Sequence, residues 1–328
     1  MKSIVFKQAG NWTDVLTLED TYIEHPKDNE VQINISARPL NPSDAMFIQG
    51  IYRKKPSFPQ IAGLEGAGVI EKCGQAVDKA LLGKRVAFRA RGTWAEKINL
   101  SIGDFKILPC IIPFEVACQL SLNTLTAFAL LDKAHLSENQ WLLLTAAHSS
   151  VCQQIIQIAK QRNIKVVAVV RKNEHIKRLQ SLGATFVINS EKQDLVKEIN
   201  ENIREGINAT LDAVGGVIGS ALFKVAALNS KIIVYGGLSN NFVSFTNGDI
   251  VYKNLLMEGF GIDAWIKSKS ADEINLVWKT IISSITNKTL IVHYDKVYSL
   301  TDFKQAIHEY EKTGRRIILK NSVDSESC

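Results

Sequence analysis

Short stretches of alternating apolar and polar residues fill the first part of the chain, a pattern typical of β-strands with one buried face. They lie at 31–37, 68–72, 85–89 and 95–100, and Gly, Pro and Asn-Pro turns separate them. Residues 1–117 are therefore predicted to form an all-β region.

The pattern changes near Leu120, where apolar strands begin to alternate with amphipathic helices. Such alternation predicts a parallel sheet covered by helices. After Trp265 a further helix–strand–helix–strand series follows, and it could extend either region. The predicted strands are 141–145, 165–170, 186–188, 209–213, 231–235, 293–298 and 316–319, and the predicted helices are 153–161, 174–182, 217–227, 272–286 and 300–313.

The stretch WLLLTAAHSSVCQQIIQIAK, at 141–160, has the strand, turn and helix of a dinucleotide-binding unit. Rossmann turns use Gly-x-Gly-x-x-Gly so that the backbone bends tightly and pyrophosphate approaches the helix amides. This turn contains no glycine. The stretch therefore predicts either a working cofactor turn, in which Ser149 and Ser150 donate hydroxyl hydrogen bonds to phosphate, or the relic of one.

Arg171 and Lys172 follow the second strand of this region. An NAD site would place a carboxylate about 20 residues after the turn, to bind the ribose hydroxyls. A guanidinium at that place instead favours a 2′-phosphate, which it binds through charge-assisted hydrogen bonds. The alternative is a pair of solvated charges at the end of a strand.

Composition adds limits on the function. The 328 residues exceed the usual size of one core, and 46% hydrophobic with 22% charged residues is typical of a globular enzyme with two domains. The 39 basic and 33 acidic residues are scattered. We interpret the clusters Arg53-Lys54-Lys55 and Arg315-Arg316 as solvated surface, and nucleic-acid binding is not expected.

Cysteine usage and hydropathy bear on location. Five widely spaced cysteines argue against a disulfide framework and fit a reducing cytoplasm. No apolar run approaches the ~18 residues of a membrane span, and the chain starts directly in the strand-like MKSIVFKQ, so targeting and insertion find no support. The cysteines are Cys73, Cys110, Cys118, Cys152 and Cys328.

Several motifs together resemble the medium-chain dehydrogenase/reductase superfamily over nearly the whole chain. They are ARPLNPSDAMFIQGIYRKKPSFPQIAGLEGAGVIEKCG (37–74), GTWAE (92–96), the unit at 141 and YGGLS (235–239). NPSD followed by IQGIY, then DAVGG, YGG and MEGFGIDAW, resemble the branch of 2-enoyl thioester reductases and quinone oxidoreductases. The resemblance implies an α/β chain: a GroES-like, β-rich catalytic domain (1–117 and 265–328) and a Rossmann domain with a doubly wound parallel sheet (118–264).

Residue types argue against zinc. Zinc-dependent members of the superfamily use a Cys in the first catalytic loop and a Gly-His-Glu turn, because thiolate and imidazole suit this ion. Here these stretches are Asn41-Pro42-Ser43-Asp44 and Gly63-Leu64-Glu65, and the four-cysteine structural lobe is missing. We expect no metal, and we expect Glu65 to be a buried, hydrogen-bonded turn residue.

The resemblance also implies site residues. Tyr52 matches a proton-donating or orienting tyrosine, Asn41 a contact on the nicotinamide side, and Thr126 a position near the carboxamide. In related reductases glycines stand where this chain has Ser150 and Cys152. The expected cofactor site further includes Ser149, Val151, Arg171, Lys172, Tyr235, Gly236 and Gly237, and the expected acyl pocket Phe260 and Trp265.

Plainer structural roles compete with several of these assignments. Tyr52 would pack the lip of the cleft, Asn41 would only form the Asn-Pro turn, and the aromatic residues would be ordinary core.

The resulting functional prediction is an NADPH-dependent, zinc-independent reductase that transfers a hydride to an activated C=C bond of an enoyl thioester or enone. The alternatives are an NADPH:quinone oxidoreductase, or a non-enzymatic binding protein on the same fold with a degenerate turn. The expected partners are a small-molecule substrate and, through pairing of residues 255–262 with their symmetry mate, a second copy of the chain, in the cytoplasm.

Overall fold

The computed structural model describes residues 1–53, 55–239 and 241–321. These residues form two compact units. The first unit contains Met1–Leu122 and the residues from Val292 onward, and the second contains Asn123–Ile291. Lys54 of the predicted surface cluster and Cys328 lie outside the described residues.

The strands in chain order are β1 (Lys2–Phe6), β2 (Thr17–Asp20), β3 (Glu30–Pro39), β4 (Gln60–Ile61), β5 (Gly66–Cys73), β6 (Arg85–Phe88), β7 (Lys97–Ser101), β8 (Phe105–Ile107), β9 (Trp141–Leu144), β10 (Lys165–Val170), β11 (Phe186–Asn189), β12 (Ile207–Asp212), β13 (Ala226–Val234), β14 (Leu256–Gly259), β15 (Lys296–Ser299) and β16 (Ile317–Lys320).

The α-helices are α1 (Trp12–Val15), α2 (Pro42–Ile48), α3 (Phe114–Ala117), α4 (Leu125–Ala134), α5 (Ser150–Gln161), α6 (Ile176–Leu182), α7 (Leu195–Asn202), α8 (Gly216–Val225), α9 (Asn247–Val251), α10 (Ile262–Lys267), α11 (Ala271–Thr286) and α12 (Phe303–Thr313). Three 3-10 segments (Lys79–Leu81, Asn173–His175 and Leu300–Asp302) and a π-helical segment (Leu120–Thr124) complete the helical elements of the described residues.

The first unit is built on antiparallel sheet. A seven-stranded sheet has the order β15-β16-β3-β5-β6-β8, with β7 also paired to β3, and a three-stranded sheet has the order β2-β1-β4. The C-terminal strand β16 pairs with the end of β3, where Ile318 lies opposite Pro39. This pairing brings Arg316 beside the loop that follows β3.

The second unit contains a six-stranded sheet in which every pairing is parallel. Its order is β11-β10-β9-β12-β13-β14. Counted from β9, this is the 3-2-1-4-5-6 order of the Rossmann fold, which reverses between β9 and β12. The predicted parallel sheet is confirmed, and in open sheets of this kind ligands bind outside the carboxyl ends of the two strands at the reversal.

The first unit is not purely β, which corrects the all-β prediction. Helix α2 begins directly after Asn41, which is its N-cap, and Pro42 takes the first turn, where a missing N–H costs nothing. The Asn-Pro pair therefore starts a helix here. Phe47 and Ile48 on its inner face are buried in the core of the first unit, and this packing stabilises a helix of only 7 residues.

The predicted return to the first domain at residue 265 differs from the observed division. Helix α11 packs against α4 within the second unit. It buries Trp278 and Ile281, and the segment after it stays attached through the Gln157 amide, which donates to the carbonyl of Ile291 at 3.0 Å. The apolar face of α11 therefore keeps the chain in the second unit up to Ile291.

None of the cysteines in the described residues forms a disulfide. No helix in the described ranges combines the length and the apolar character that crossing a bilayer requires.

Candidate functional site

The glycine-free turn after β9 adopts a regular helix start. Ser149 is the N-cap of α5, with φ −63° and ψ 154°, and its hydroxyl accepts the backbone N–H of Cys152 at 3.3 Å. The left-handed backbone conformation of this turn falls on Ala146, with φ 46°. Ser149, Ser150 and Cys152 have no positive φ. The backbone therefore does not need glycine at these three positions.

The start of α5 keeps amides available. Among the described residues, the backbone N–H groups of Ser150 and Val151 have no hydrogen-bond partner. These are donors that a helix N-terminus presents to an anion, and the helix dipole adds to the attraction. The Ser150 hydroxyl lies 3.5 Å from the Gln154 amide, so it also stands at this helix end. A pyrophosphate fits this donor set.

Cys152 packs inside the turn. Its side chain is fully buried, with Sγ 3.5 Å from the Thr145 carbonyl oxygen and 3.2 Å from the Tyr235 hydroxyl. Burial raises the pKa of this thiol. The sulfur therefore acts as a small packing group between α5 and the ends of β9 and β13, and a role as nucleophile does not fit.

Tyr235, Gly236 and Gly237 follow β13 at the same edge of the sheet. Burial raises the pKa of the Tyr235 phenol well above its usual range. A Cβ at Gly236 would lie 2.9 Å from the Ala213 carbonyl oxygen, whereas a Cβ at Gly237 would meet nothing within 4 Å. Position 236 therefore needs glycine because the backbone at Ala213 lies too close for a side chain, whereas the space beside Gly237 is open.

The predicted basic pair is exposed after β10, and two histidines lie beside it. The rings of His148 and His175 stack with centroids 4.7 Å apart and an interplanar angle of 9°. Burial, His175, Arg171 and Lys172 together lower the pKa of His148 to about 4. Residue spacing does not indicate this pair, because the six histidines of the chain show no ligand spacing and the stack joins two different loops.

In the first unit, Asn41 belongs to a buried polar network. Its amide nitrogen donates to Glu65 Oε1 at 2.9 Å, and its amide oxygen accepts from Arg316 Nη1 at 2.7 Å. The other oxygen of Glu65 accepts the N–H of Leu122 at 2.9 Å. Glu65 is thus a buried, hydrogen-bonded residue, as predicted. The Asn41 side chain holds this network together in addition to any contact with a ligand.

Arg316 is largely buried beside Asn41, although the sequence analysis placed it on the solvated surface. Its side chain is only 10% exposed, against 58% for Arg315. It donates to the Leu40 carbonyl at 2.6 Å and to the Gln119 amide oxygen at 2.7 Å, and Nη2 lies 3.7 Å from Glu65. The interpretation as solvated surface is wrong for Arg316, because the pairing of β16 with β3 inserts it behind the Asn41 loop.

A second carboxyl group, Asp44, is buried in the same network. It accepts the backbone N–H of Asn41 at 2.8 Å, and its Oδ1 has no hydrogen-bond partner in the described part of the chain. Burial raises the pKa of Asp44 to about 8 and that of Glu65 to about 7. Arg316 neutralises only one carboxylate. Since Glu65 holds the hydrogen bonds and the guanidinium, the proton resides on Asp44 at neutral pH.

Tyr52 is half-buried and packs against the core cluster of the first unit. Its backbone N–H donates to Met46 in the last turn of α2 at 3.0 Å, which fixes the segment after this helix. The ring is therefore held against the core, and both its predicted roles, at the lip of the cleft and as a proton donor, stay predictions. A ring fixed in this way also suits a positioned hydroxyl.

The other predicted residues lie in the second unit. Thr126 is half-buried in the first turn of α4, and Phe260 is half-buried just after β14. Trp265 is 7% exposed, and its indole N–H donates to Asp132 at 2.9 Å. A tryptophan packed and hydrogen-bonded in this way matches the core role, because its polar atom is already satisfied within the unit.

A metal site needs several ligand side chains close together. In the described ranges, no group of three or more His, Cys, Asp or Glu side chains is arranged to hold an ion. The absence of zinc stays a prediction, based on Ser43 and Leu64 at the positions where thiolate and imidazole would be needed.

Two family models match the chain. The alcohol dehydrogenase GroES-like domain matches residues 27–103, and the zinc-binding dehydrogenase model matches residues 151–279. A mitochondrial enoyl-[acyl-carrier-protein] reductase of Xenopus tropicalis is 30% identical over 320 residues, which cover 94% of this chain and 91% of that protein.

Solved structures agree with the fold. A provisionally named NADPH:quinone reductase from Bacillus thuringiensis has a TM-score of 0.91 at 30% identity, covering 98% of each chain. The Escherichia coli quinone oxidoreductase, solved with NADPH, has a TM-score of 0.88 at 25% identity, covering 98% of this chain and all of that one. The first unit is thus GroES-like and the second is a Rossmann domain.

Replacing Arg316 tests the buried network. We expect Arg316→Leu to lower the free energy of unfolding by about 3–5 kcal/mol, because Glu65 and the Asn41 oxygen lose their buried partner. The neighbouring Arg315→Leu removes an exposed pair with Glu309 and should cost about 1 kcal/mol or less. Urea unfolding of both variants measures the difference, and equal costs would contradict the buried role of Arg316.

The protonation of Asp44 predicts a pH effect. A carboxyl group whose pKa is higher in the folded than in the unfolded protein stabilises the fold at low pH and loses that effect as pH rises toward about 8. Asp44→Asn should therefore gain stability relative to wild type as pH rises from about 4 to about 8, by at most about 1.4 kcal/mol per pH unit, and the difference should level off above about pH 8. Urea unfolding across this range measures the difference in unfolding free energy between variant and wild type, with Asp20→Asn, at an exposed position, as control. A difference that does not change with pH would refute the protonation of Asp44.

Proposed function

We propose that this chain, which belongs to the medium-chain dehydrogenase/reductase superfamily, is an NADPH-dependent, zinc-independent reductase of activated C=C bonds in enoyl thioesters or enones. The observation that carries the proposal is the regular geometry of the glycine-free turn. Loss of its glycines was the main sequence argument for a protein without activity. The unstrained backbone at Ser149, Ser150 and Cys152 weighs against that alternative.

NADPH is the proposed cofactor because the Escherichia coli quinone oxidoreductase was solved with it and because the donor set at α5 fits a pyrophosphate. The N–H groups of Ser150 and Val151 and the Ser149 and Ser150 hydroxyls would hold the pyrophosphate, and the Arg171-Lys172 pair the 2′-phosphate. Tyr235, Gly236 and Gly237 would lie beside the cofactor, and Thr126 near its carboxamide. When bound, the cofactor supplies the hydride.

The proton side of the reaction is assigned to Tyr52. Saturating an activated double bond adds a hydride to the β-carbon and a proton to the α-carbon, while the carbonyl oxygen carries the intermediate negative charge. The phenol of Tyr52 donates or orients that proton. Asn41 keeps its proposed place on the nicotinamide side, held by Glu65 and Arg316, and Phe260 remains in the proposed acyl pocket.

Quinone reduction is the second candidate. It is supported by the 30% identity with the Bacillus thuringiensis protein that carries an NADPH:quinone reductase name. A quinone accepts the hydride with little acid catalysis, so the two candidates differ in their need for Tyr52.

We propose a homodimer for the assembled protein. Strand β14 pairs only with β13 among the described strands, so it is an edge of the Rossmann sheet. Leu256 and Met257 on this strand are 49% and 43% exposed. An apolar edge strand is covered in most native proteins, and a symmetric copy would cover it. The cytoplasmic location stays a prediction, since the enoyl reductase relative is named as mitochondrial.

The cofactor assignment predicts selectivity for NADPH over NADH. Arg171→Ala should weaken NADPH binding about 10 to 150 fold, equivalent to about 1.5–3 kcal/mol, by removing a charge-assisted contact with the 2′-phosphate. NADH affinity should hardly change. Fluorescence titrations measure both constants, with Lys197→Ala, an exposed lysine of the same unit, as control. Unchanged NADPH affinity in Arg171→Ala would refute the assignment.

The assignment of Tyr52 predicts a separation of two activities. Tyr52→Phe should lower kcat for an enoyl thioester about 100-fold or more, because general acid catalysis contributes about 10²–10⁴ fold. NADPH affinity should stay close to wild type, and quinone reduction should fall much less. Steady-state NADPH oxidation measures these rates, with Tyr22→Phe, whose ring is 84% exposed, as control. Full enoyl reductase activity in Tyr52→Phe would remove the tyrosine from the mechanism.

A further inference from the structure

The stacked imidazoles lie at the carboxyl edge of two neighbouring strands. His148 follows β9 and His175 follows β10, and these strands pair in parallel from Trp141 and Lys165 onward. Both loops therefore leave the sheet on the same side. The side chain of Gln153 links the loop after β9 to α6, because its amide nitrogen donates to the His148 carbonyl at 2.6 Å and its amide oxygen accepts from Arg178 at 2.8 Å.

The charges around the stack are mainly positive. Arg171 and Lys172 come from the loop after β10, and Arg178 comes from α6. The facing acid is Glu174, whose carboxylate lies 3.6 Å from His175 Nε2 and 3.7 Å from Lys172 Nζ. Three cations thus face one carboxylate, and that carboxylate is 64% exposed. The surroundings repel a proton on either ring and attract an anion.

The His148 ring also has an unsatisfied nitrogen. Its Nδ1 is buried and has no hydrogen-bond partner in the described part of the chain. Burial, His175 and the basic pair keep the pKa of His148 low, and burial, Lys172 and Arg178 lower the pKa of His175 against the pull of Glu174. Both rings are therefore neutral near pH 7 as long as no anion is present.

We propose that His148 and His175 are specificity-determining residues for the 2′-phosphate of NADPH, and that the pair takes up a proton from solvent when this phosphate binds beside Arg171 and Lys172. The inference rests on the proposed function. A phosphate dianion reverses the local field, so an imidazolium becomes favourable and donates a charge-assisted hydrogen bond. NADH carries no 2′-phosphate and binds without this proton.

The sign of the pH dependence follows from this linkage. Since the complex binds one more proton than the free protein and cofactor, affinity for NADPH rises as pH falls, by up to about tenfold per pH unit. Below about pH 6 the phosphate itself becomes protonated and opposes the effect. Between about pH 6.5 and pH 8 the effect of the histidines on affinity can therefore be measured apart from protonation of the phosphate.

Isothermal titration calorimetry with the full chain tests the proposal. NADPH and NADH are titrated near pH 7 in PIPES and in imidazole buffer, whose ionisation enthalpies differ, and the NADPH to NADH affinity ratio is measured from about pH 6.5 to pH 8. We expect proton uptake when NADPH binds and almost no uptake when NADH binds. The NADPH to NADH affinity ratio should increase as pH falls.

Variants assign the proton to the stack. His148→Asn/His175→Asn should bind NADPH without proton uptake and with an affinity ratio that does not change with pH. His175→Gln alone should reduce the proton uptake and the pH dependence of the ratio, and it replaces the double variant if that variant folds poorly. His308→Asn, at an exposed position of α12 in the first unit, should behave as wild type. Equal uptake with NADPH and NADH, or full uptake in the His variants, would overturn the inference alone. Absence of saturable binding of NADPH would overturn the proposed function together with it.

Discussion

The hydrogen bond between the Thr145 hydroxyl and the Asp212 carboxylate, 2.7 Å long and buried, holds the point where the order of the Rossmann sheet reverses. Thr145 also accepts the N–H of Ala213, and Asp212 accepts the N–H groups of Val214 and Gly215. The loops after β9 and β12 are thereby fixed to each other. These two loops and the ends of β10 and β13 place the residues assigned to the cofactor, except Thr126 on α4 and Asn41 in the first unit.

This constraint explains how the turn works without glycine. With Thr145 fixed, the left-handed conformation is taken by Ala146, which costs about 1–2 kcal/mol for a residue with a Cβ. The chain then enters α5 with ordinary dihedrals, so hydroxyl and thiol side chains are tolerated where related reductases have glycine. Cys152 turns inward and Ser149 caps the helix, which leaves two amides at the helix start.

The sequence predicted elements with a strong local pattern and missed those decided by distant residues. Strand β10 was predicted with its observed bounds because its apolar run is continuous. Helix α2 was missed because Asn-Pro is equally typical of a turn, and Pro at the first helical position is favourable only once Phe47 and Ile48 are buried. The roles of Arg316 and of the His148–His175 stack depend on strand pairing across the chain, which neither charge nor spacing reveals. Ser43 and Leu64 at the zinc-ligand positions are a local feature, so residue types alone support the prediction that zinc is absent.

The proposed roles all require that the glycine-free turn bind a dinucleotide. Titration of the wild-type protein with NADPH, followed by nicotinamide fluorescence, measures this binding. We expect saturable binding with a dissociation constant in the micromolar range or weaker, and an altered emission that excess NADP⁺ reverses. No saturable response at millimolar NADPH would contradict it, and the chain would then be a binding protein that keeps a reductase fold.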